Sequence, residues 1–177
     1  MNSSVIHPKV GVGEKVFLSI GSNQGDGRAN INDALRALSL MDGVDINSAS
    51  SFYLTSPVGM DTGQWFLNCA VEITTLLSPL ELLDRLEEVE RNMGRTQKGE
   101  LAPRVIDMDI LLYGRSVVLH PRLSVPHPRM EQRRFVLEPL AEIAPDAVHP
   151  VSGATSREMN ERVAGQQSIR QDASPHW

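Results

Sequence analysis

The segment 103–113, Pro-Arg-Val-Ile-Asp-Met-Asp-Ile-Leu-Leu-Tyr, restricts the fold more than any other part of the sequence. Its pattern fits a β-strand with one buried face, because side chains on a strand point alternately to its two faces. One face would carry Asp107 and Asp109, and the other would carry only apolar side chains, those of Ile106, Met108, Ile110 and Leu112. A sheet that contains this strand therefore needs a hydrophobic core on one side and a polar surface on the other.

The two aspartates predict a metal site. The α-carbons of Asp107 and Asp109 would lie about 6.6–7 Å apart on a strand, and carboxylates at this spacing can converge on hard cations such as Mg²⁺. Alternatively, the two aspartates only solvate the open face of an antiparallel sheet. Aspartate is depleted in strands and two on one face repel each other, which favours a functional reason for the pair.

Composition indicates one globular domain. A chain of 177 residues with 41% apolar residues can bury one sizeable core. The single cysteine, Cys69, lies in an apolar run, which argues against a disulfide scaffold and favours a reducing compartment. No apolar run is long enough to span a bilayer, so we expect a cytoplasmic protein. The expected organisation is a flexible leader over residues 1–14, one domain over 15–165 and a polar tail over 166–177.

Positive charge is concentrated in the middle of the chain. The net charge is −5, yet residues 91–134 contain nine Lys and Arg against four Asp and Glu. A confined cationic cluster on an acidic protein suits a small polyanion such as a nucleotide better than a nucleic acid, which needs an extended basic surface. Arginines that only solvate the surface would give the same count. We expect a monomer with small-molecule substrates and with no nucleic-acid or membrane partner.

The predicted elements follow the order strand, helix, strand, strand, helix, strand. The second helix has the clearest start, since Ser78 suits the N-cap, Pro79 the first turn and Glu81 the third position after the cap. The predicted strands are 15–20, 44–55, 66–75 and 103–113, and the predicted helices are 31–41 and 78–94. This is the ferredoxin-like βαββαβ order, an α+β fold with helices on one face of an antiparallel sheet.

The rest of the chain predicts an additional C-terminal strand, 117–119, and two short helices, 137–143 and 156–163. With both main helices on one face of the sheet, the other face would be free. That open face would carry Phe66, Asn68, Asp107 and Asp109, where the proline-rich segments after residue 119 could wall in a cleft.

Two other features lack the spacing of familiar motifs. The turn 21–27 has neither the Gly-Lys-Ser/Thr ending of a P-loop nor the pattern Gly-x-Gly-x-x-Gly, which favours a structural strand-to-helix turn over a phosphate cradle. His120 and His127 are too dispersed for a zinc motif, and each is expected to be a hydrogen-bonding or surface histidine.

Six short motifs in a fixed order give the chain a family resemblance. They are Gly21-Ser22-Asn23, Ser51-Phe52-Tyr53-x-Thr55-x-Pro57-x-Gly59, Phe66-Leu67-Asn68, Glu90-x-x-x-Gly94-Arg95, Pro103-Arg104-x-x-Asp107-x-Asp109-Ile110 and Val125-Pro126-His127. Together they resemble 6-hydroxymethyl-7,8-dihydropterin pyrophosphokinase, an enzyme of folate biosynthesis, over residues 15–150. The Pro-Arg-x-x-Asp-x-Asp-Ile element is the most specific, whereas Gly-Ser-Asn or Val-Pro-His alone would be weak.

The resemblance implies transfer of pyrophosphate from ATP, as co-substrate, to the hydroxymethyl group of the pterin, with release of AMP. It implies two Mg²⁺ ions held by Asp107 and Asp109, which would bridge the phosphates of ATP while the pterin oxygen attacks the β-phosphorus. Such a reaction depends on alignment and charge neutralisation rather than on a nucleophilic side chain.

The resemblance also assigns roles to single residues. The catalytic group would consist of Arg95, Arg104, Asp107 and Asp109. The pterin would contact Thr55, Ser56, Val58, Phe66, Asn68 and Phe135, with Phe135 stacking on the ring. The nucleotide would contact Glu90, Arg95, Lys98, Arg104, Ile110, Arg122, Ser124, His127 and Arg133.

The chain departs from the family pattern in the loop before Pro103. The family usually carries Arg-aromatic-Gly there, whereas this chain reads Gly99-Glu100-Leu101-Ala102 and is one residue shorter. Gln97 also stands where arginine is frequent, Pro128 where an aromatic residue is common, and Phe66 where tyrosine is common. Each lost cation could remove contacts worth about 1.5–3 kcal/mol. This departure leaves open an alternative, a divergent paralogue that binds pterin or nucleotide with little or no catalysis.

Overall fold

The computed structural model describes residues 12–56, 65–94, 105–173 and 175. Its elements follow the predicted α+β order, with further elements after the βαββαβ core. In chain order they are β1 Glu14–Ser22, α1 Gly27–Ser39, β2 Val44–Ala49, β3 Tyr53–Thr55, β4 Phe66–Thr75, α2 Pro79–Asn92, β5 Asp107–Tyr113, β6 Val118–His120, β7 Leu123–Val125, a 3₁₀ turn Met130–Gln132, α3 Arg134–Ile143, α4 Ser156–Arg162 and β8 Ile169–Gln171.

The main sheet has six strands in the order β5-β1-β4-β3-β8, with β2 also paired to β4. Every pair in this sheet is antiparallel, which confirms the ferredoxin-like plan. The additional strand predicted after β5 is present as β6, which pairs with β7 in a separate two-stranded sheet.

The predicted strand 44–55 is divided into β2 and β3, and both parts pair with β4. Ser50 causes the break, because its hydroxyl oxygen accepts a hydrogen bond from the Ala70 backbone N–H at 2.9 Å. A side chain thus takes the place of a backbone partner, and the strand resumes at Tyr53.

Both faces of the sheet carry a hydrophobic core, so the prediction of a free second face is wrong for part of it. Helices α1 and α2 bury one face through Ile31, Leu35, Leu82 and Leu86. Helices α3 and α4 cover part of the other face through Val136, Leu137, Leu140 and Met159, which pack with Phe17, Ala70, Leu111 and Leu112. The expected polar face is therefore confined to one end of the sheet.

A β-bulge in β5 changes the side on which Leu112 lies. Leu18 is opposite Ile110 and Phe17 is opposite Leu112, which leaves Leu111 as an extra residue. Leu111 and Leu112 consequently both pack in the core under α3, and Leu112 does not share the face of Met108 and Ile110 as the simple alternation predicts. Asp107 and Asp109 precede the bulge and remain on one face.

The C-terminal segment adds a strand to the main sheet. Residues 169–171, within the predicted polar tail, form β8, which pairs with β3 at the edge of the sheet. An ion pair between Arg28 of α1 and Asp172 ties the same segment to the first helix. In the part of the chain that the structure describes, no helix combines the length and the apolar character needed to cross a membrane.

The predicted start of α2 is confirmed and yields a first test. The Ser78 hydroxyl accepts a hydrogen bond from the Glu81 N–H, and the Glu81 carboxylate accepts one from the Ser78 N–H at 2.8 Å. We expect Ser78→Ala to lower the free energy of unfolding by about 0.5–2 kcal/mol, because two backbone donors lose this reciprocal cap. Denaturant titration measures the change. Exposed Ser116→Ala is the control, and an equal effect of both variants would contradict the capping role.

Candidate active site

The floor of the candidate site is a row of four residues that crosses the sheet. Asp107 of β5 lies opposite Gly21 of β1, Gly21 lies opposite Asn68 of β4, and Asn68 lies opposite Tyr53 of β3. Directly opposed residues of antiparallel strands share a face. Since neighbouring strands are about 4.8 Å apart, the backbone positions of Asp107 and Asn68 are about 10 Å apart with only a glycine between them.

Gly21 leaves space for the amide of Asn68. A β-carbon at position 21 would lie 2.7 Å from Asn68 Oδ1, closer than two such atoms can approach. Asn68 is itself buried, and its Nδ2 donates a hydrogen bond to Thr55 Oγ1 at 2.9 Å. The amide is thus fixed by Thr55 and by the absence of a side chain on the central strand.

His127 lies beside the aspartates, held by the β-bulge. Its backbone N–H donates to the Leu111 carbonyl at 2.9 Å, the carbonyl of the bulged residue. Its Nδ1 accepts a hydrogen bond from the Arg129 N–H at 3.2 Å, which leaves the ring proton on Nε2. Nε2 lies 3.9 Å from Asp109 Oδ2.

His127 is neutral at pH 7. Burial, together with the nearby cations Arg133 and Arg129, lowers its pKa to about 4, against the opposing effect of the Asp107 charge. The contact between His127 and Asp109 is accordingly a dipole facing a carboxylate rather than an ion pair. An uncharged imidazole beside Asp109 does not itself neutralise that carboxylate.

Cationic and aromatic groups close one side of this region. The guanidinium carbon of Arg133 lies 5.5 Å from the ring centre of Phe135, within reach of a cation–π contact. Phe135 is in the first turn of α3 and is only partly buried. Both were predicted site residues, whereas Arg129 was not. Its position two residues after His127, within Pro-His-Pro-Arg, was the available signal.

Glu90 and Ile110 lie on the helix side of β5, behind the aspartates. Glu90 is buried and accepts a hydrogen bond from the Met108 N–H at 2.7 Å, at the residue between Asp107 and Asp109. Ile110 is buried in the core with α1 and α2. The structure thus places Glu90 as a support for the strand, and the side chain of Ile110 faces away from the carboxylates.

Arg122 lies in the turn between β6 and β7, and Ser124 lies on β7. Arg122 contacts two carboxylates of α2, Asp84 at 2.6 Å and Glu87 at 3.1 Å. The hydrogen bond with Asp84 and the charge of that carboxylate raise the pKa of Arg122. Ser124 is exposed on β7. Both carboxylates that Arg122 contacts belong to α2.

At the other end of the row, Thr55 is buried and Ser56 is bonded to the C-terminal segment. The Ser56 N–H donates to the Ser168 carbonyl at 3.2 Å, and Gln167 Nε2 donates to the Ser56 carbonyl at 2.6 Å. The Ser56 N–H thus donates its hydrogen bond within the protein. Phe66, opposite Thr55, is partly buried.

Four predicted site residues, Val58, Arg95, Lys98 and Arg104, lie outside the described residues, as does the atypical loop before Pro103. Among the residues that are described, no group of three or more His, Cys, Asp or Glu side chains is arranged to hold a metal ion. Mg²⁺ commonly takes part of its coordination from water and substrate oxygens, so two carboxylates are a sufficient protein contribution.

Comparison with known proteins identifies the matching family. The family model described as 7,8-dihydro-6-hydroxymethylpterin-pyrophosphokinase (HPPK) matches residues 17–145. The 2-amino-4-hydroxy-6-hydroxymethyldihydropteridine pyrophosphokinase of Bacillus subtilis is 40% identical over 152 residues, which cover 86% of this chain and 91% of the relative. The protein of the same name from Methylorubrum extorquens is 42% identical over 144 residues, which cover 81% of this chain and 90% of the relative.

Solved structures share the fold. A crystal structure of Plasmodium falciparum HPPK-DHPS with pteroate superposes with a TM-score of 0.70 at 16% sequence identity, over 86% of this chain and 43% of that one. The wild-type structure of the same protein gives a TM-score of 0.70 over 87% of this chain and 45% of the other. The chain thus spans less than half the length of these solved chains.

The contact between Gly21 and Asn68 yields a second test. We expect Gly21→Ala to lower the free energy of unfolding by about 1–3 kcal/mol, because the added carbon collides with a buried amide. The side-chain amide resonances of Asn68 should shift in the same variant. Gly27→Ala is the matched control, since its added carbon comes no closer than 3.4 Å to a neighbouring atom. An unchanged Asn68 spectrum in Gly21→Ala would contradict the steric role.

Proposed function

Because the chain belongs to the 7,8-dihydro-6-hydroxymethylpterin-pyrophosphokinase family, we propose that it transfers pyrophosphate from ATP to 6-hydroxymethyl-7,8-dihydropterin. The pterin hydroxyl oxygen forms a bond to the β-phosphorus, the bond from that phosphorus to the α,β-bridging oxygen breaks, and AMP leaves. The observation that carries the proposal is the sheet row, in which Asp107 and Asn68 flank Gly21.

Asp107 and Asp109 are the proposed metal ligands. They lie on the same face of β5, are partly exposed and have a neutral histidine beside them, which fits the oxygen-rich environment that Mg²⁺ requires. When bound, two Mg²⁺ ions would neutralise the charge that develops on the phosphate oxygens and hold them in line. The two aspartates would thereby fix the position of the metal charge relative to the pterin.

The cationic side of the site would bind the triphosphate. Arg133 and Arg129 lie close enough to His127 to lower its pKa, which puts two cations near the residue beside Asp109. Guanidinium groups suit phosphate oxygens, and the Nε2–H of neutral His127 can donate to one as well. We propose the same phosphate-binding role for Arg95 and Arg104, on the basis of their motifs in the sequence.

The amide end of the row would bind the pterin. Asn68 offers a fixed amide in a buried setting, where hydrogen bonds to the edge of a flat heterocycle exclude water. Phe135 can stack on the ring, and Phe66 lies at the start of the strand that carries Asn68. This arrangement directs the hydroxymethyl group toward the aspartates across Gly21.

We further propose that the protein acts as a cytoplasmic monomer on small molecules, without a nucleic-acid or membrane partner. The net charge of −5 and the confinement of the excess positive charge to residues 91–134 support this proposal. The unpaired, buried Cys69 fits a reducing compartment.

The metal assignment yields a third test. We expect Asp107→Asn and Asp109→Asn each to lower the rate of AMP formation by about 100-fold or more, because a metal ligand acts on phosphoryl transfer. Pterin affinity should change by less than about threefold, since Asn68 and Phe135 are untouched. The assay measures AMP from ATP and the reduced pterin at several Mg²⁺ concentrations, with calorimetry for pterin binding.

Exposed Asp146→Asn is the control for this test, since it removes a carboxylate at the opposite end of the sheet. Equal losses of rate and pterin affinity in the Asp107 and Asp109 variants would contradict the metal role. If wild-type protein binds both ligands and forms no AMP, the chain is a binding protein and the enzymatic proposal fails.

The atypical loop yields a fourth test, which rests on the sequence because residues 95–104 lie outside the described part. Restoring Arg-Trp-Gly immediately before Pro103 should raise the rate of AMP formation, because it returns the cation and the aromatic side chain that the family pattern carries at this position. Steady-state kinetics measures the gain. An unchanged rate would mean that other residues already supply these contacts.

A further inference from the structure

A single carboxylate on α3 connects that helix to the strand beside Asn68. Glu142 accepts hydrogen bonds from the Ser51 N–H at 3.0 Å, from the Ser51 hydroxyl at 2.9 Å and from the Tyr53 hydroxyl at 2.7 Å. Ser51 and Tyr53 are both buried, whereas the Glu142 residue is exposed. Three donors from β3 and the residues just before it thus converge on one acceptor.

The two elements joined by Glu142 carry opposite sides of the proposed pterin site. Helix α3 carries Phe135 in its first turn and packs on the sheet through Leu137 and Leu140. Strand β3 carries Thr55, which holds the Asn68 amide, and Tyr53 lies directly opposite Asn68. The distance between the stacking ring and the amide therefore depends on how α3 sits against β3.

Strand β3 is held in the sheet between β4 and β8, and Glu142 adds a polar side-chain link from this strand to α3. The strand is only three residues long and follows the break at Ser50. Its outer edge is held by β8, where Gln171 Nε2 donates to the Ser51 hydroxyl at 3.0 Å. The Ser51 hydroxyl thus joins Glu142 on one side and Gln171 on the other.

The Tyr53 hydroxyl stays protonated and keeps donating. Burial raises the pKa of Tyr53 above its usual range, and the hydrogen bond to Glu142 and the negative charge of that carboxylate raise it further. The Tyr53 hydroxyl therefore remains a hydrogen-bond donor at neutral pH.

We propose that Glu142 is a positioning residue for the pterin, which sets the gap between Phe135 and Asn68 by tying α3 to Ser51 and Tyr53. The inference rests on the proposed function and deepens it. Because Glu142 is exposed, water can satisfy Ser51 and Tyr53 when the carboxylate is removed, but water cannot hold the helix and strand at one separation. Loss of Glu142 should consequently affect ligand fit more than stability.

The test compares pterin and nucleotide affinity in four variants of the full chain, measured by calorimetry with the reduced pterin and with a non-hydrolysable ATP analogue plus Mg²⁺. We expect Glu142→Ala to weaken pterin binding by about tenfold, as small displacements of positioning groups do, and to leave nucleotide binding within about twofold. KM for the pterin should rise more than kcat falls.

Glu142→Gln should recover most of the pterin affinity. Its amide oxygen can accept from the Ser51 N–H and hydroxyl, and its amide nitrogen can donate to the Tyr53 oxygen. Tyr53→Phe, which removes one of the three donors and keeps the ring, should give a smaller loss than Glu142→Ala. It also serves as the second variant if Glu142→Ala fails to fold.

Glu138→Ala is the matched control. Glu138 lies one turn earlier on α3 and accepts hydrogen bonds from Arg134 at 3.3 Å and Asn160 at 3.2 Å, both outside β3. It should leave pterin affinity unchanged. Equal weakening of pterin and nucleotide in Glu142→Ala, an equal effect of Glu138→Ala, or unchanged pterin affinity in Glu142→Ala would each overturn the inference. Absence of AMP formation by the wild type is a separate result that overturns the proposed function.

Discussion

The pairing of β1 with β4 on one side and with β5 on the other is the constraint on which the rest of the structure depends. The register of both pairs places Asp107, Gly21 and Asn68 in one row. A shift of one residue in either pair would turn its side chains to the opposite face and would bury the carboxylate or the amide in the core. The apolar residues Val16, Leu18 and Ile20 prevent such a shift, because they must face α1 and α2. Hydrophobic burial on one face therefore determines the polar geometry on the other.

Much of this arrangement could be predicted from the sequence, because it follows from local patterns. The alternation of apolar and acidic residues before Leu111 correctly placed both aspartates on one face, and Ser78 marked the start of α2. The bulge at Leu111 and the break at Ser50 were not predictable in this way. Each depends on a partner far away in the chain, the His127 N–H in one case and the Ala70 N–H in the other. A single sequence contains no signal for such pairings.

The dependence on distant partners also explains where the candidate site differs from the prediction made from the sequence. His127, Arg133 and Phe135 come together near the aspartates, as their motif positions implied. Arg122 contacts two carboxylates of α2, Asp84 and Glu87. The covering of part of the second face by α3 and α4 was not predicted, because their helical patterns do not reveal which surface they pack on. The role of Glu142 also depends on this cover, and no short motif surrounds that residue.

The bulge at Leu111 makes an irregular position of β5 the attachment point of the His127 loop. In a regular strand, each carbonyl either accepts a hydrogen bond from the neighbouring strand or points to the open edge at a fixed spacing. The extra residue of the bulge instead presents its carbonyl to the N–H of His127. A deletion of Leu111 would thus make the strand more regular and yet release the histidine from Asp109. Insertions and deletions in β5 are therefore constrained by the His127 loop as well as by the hydrogen bonds between β5 and β1.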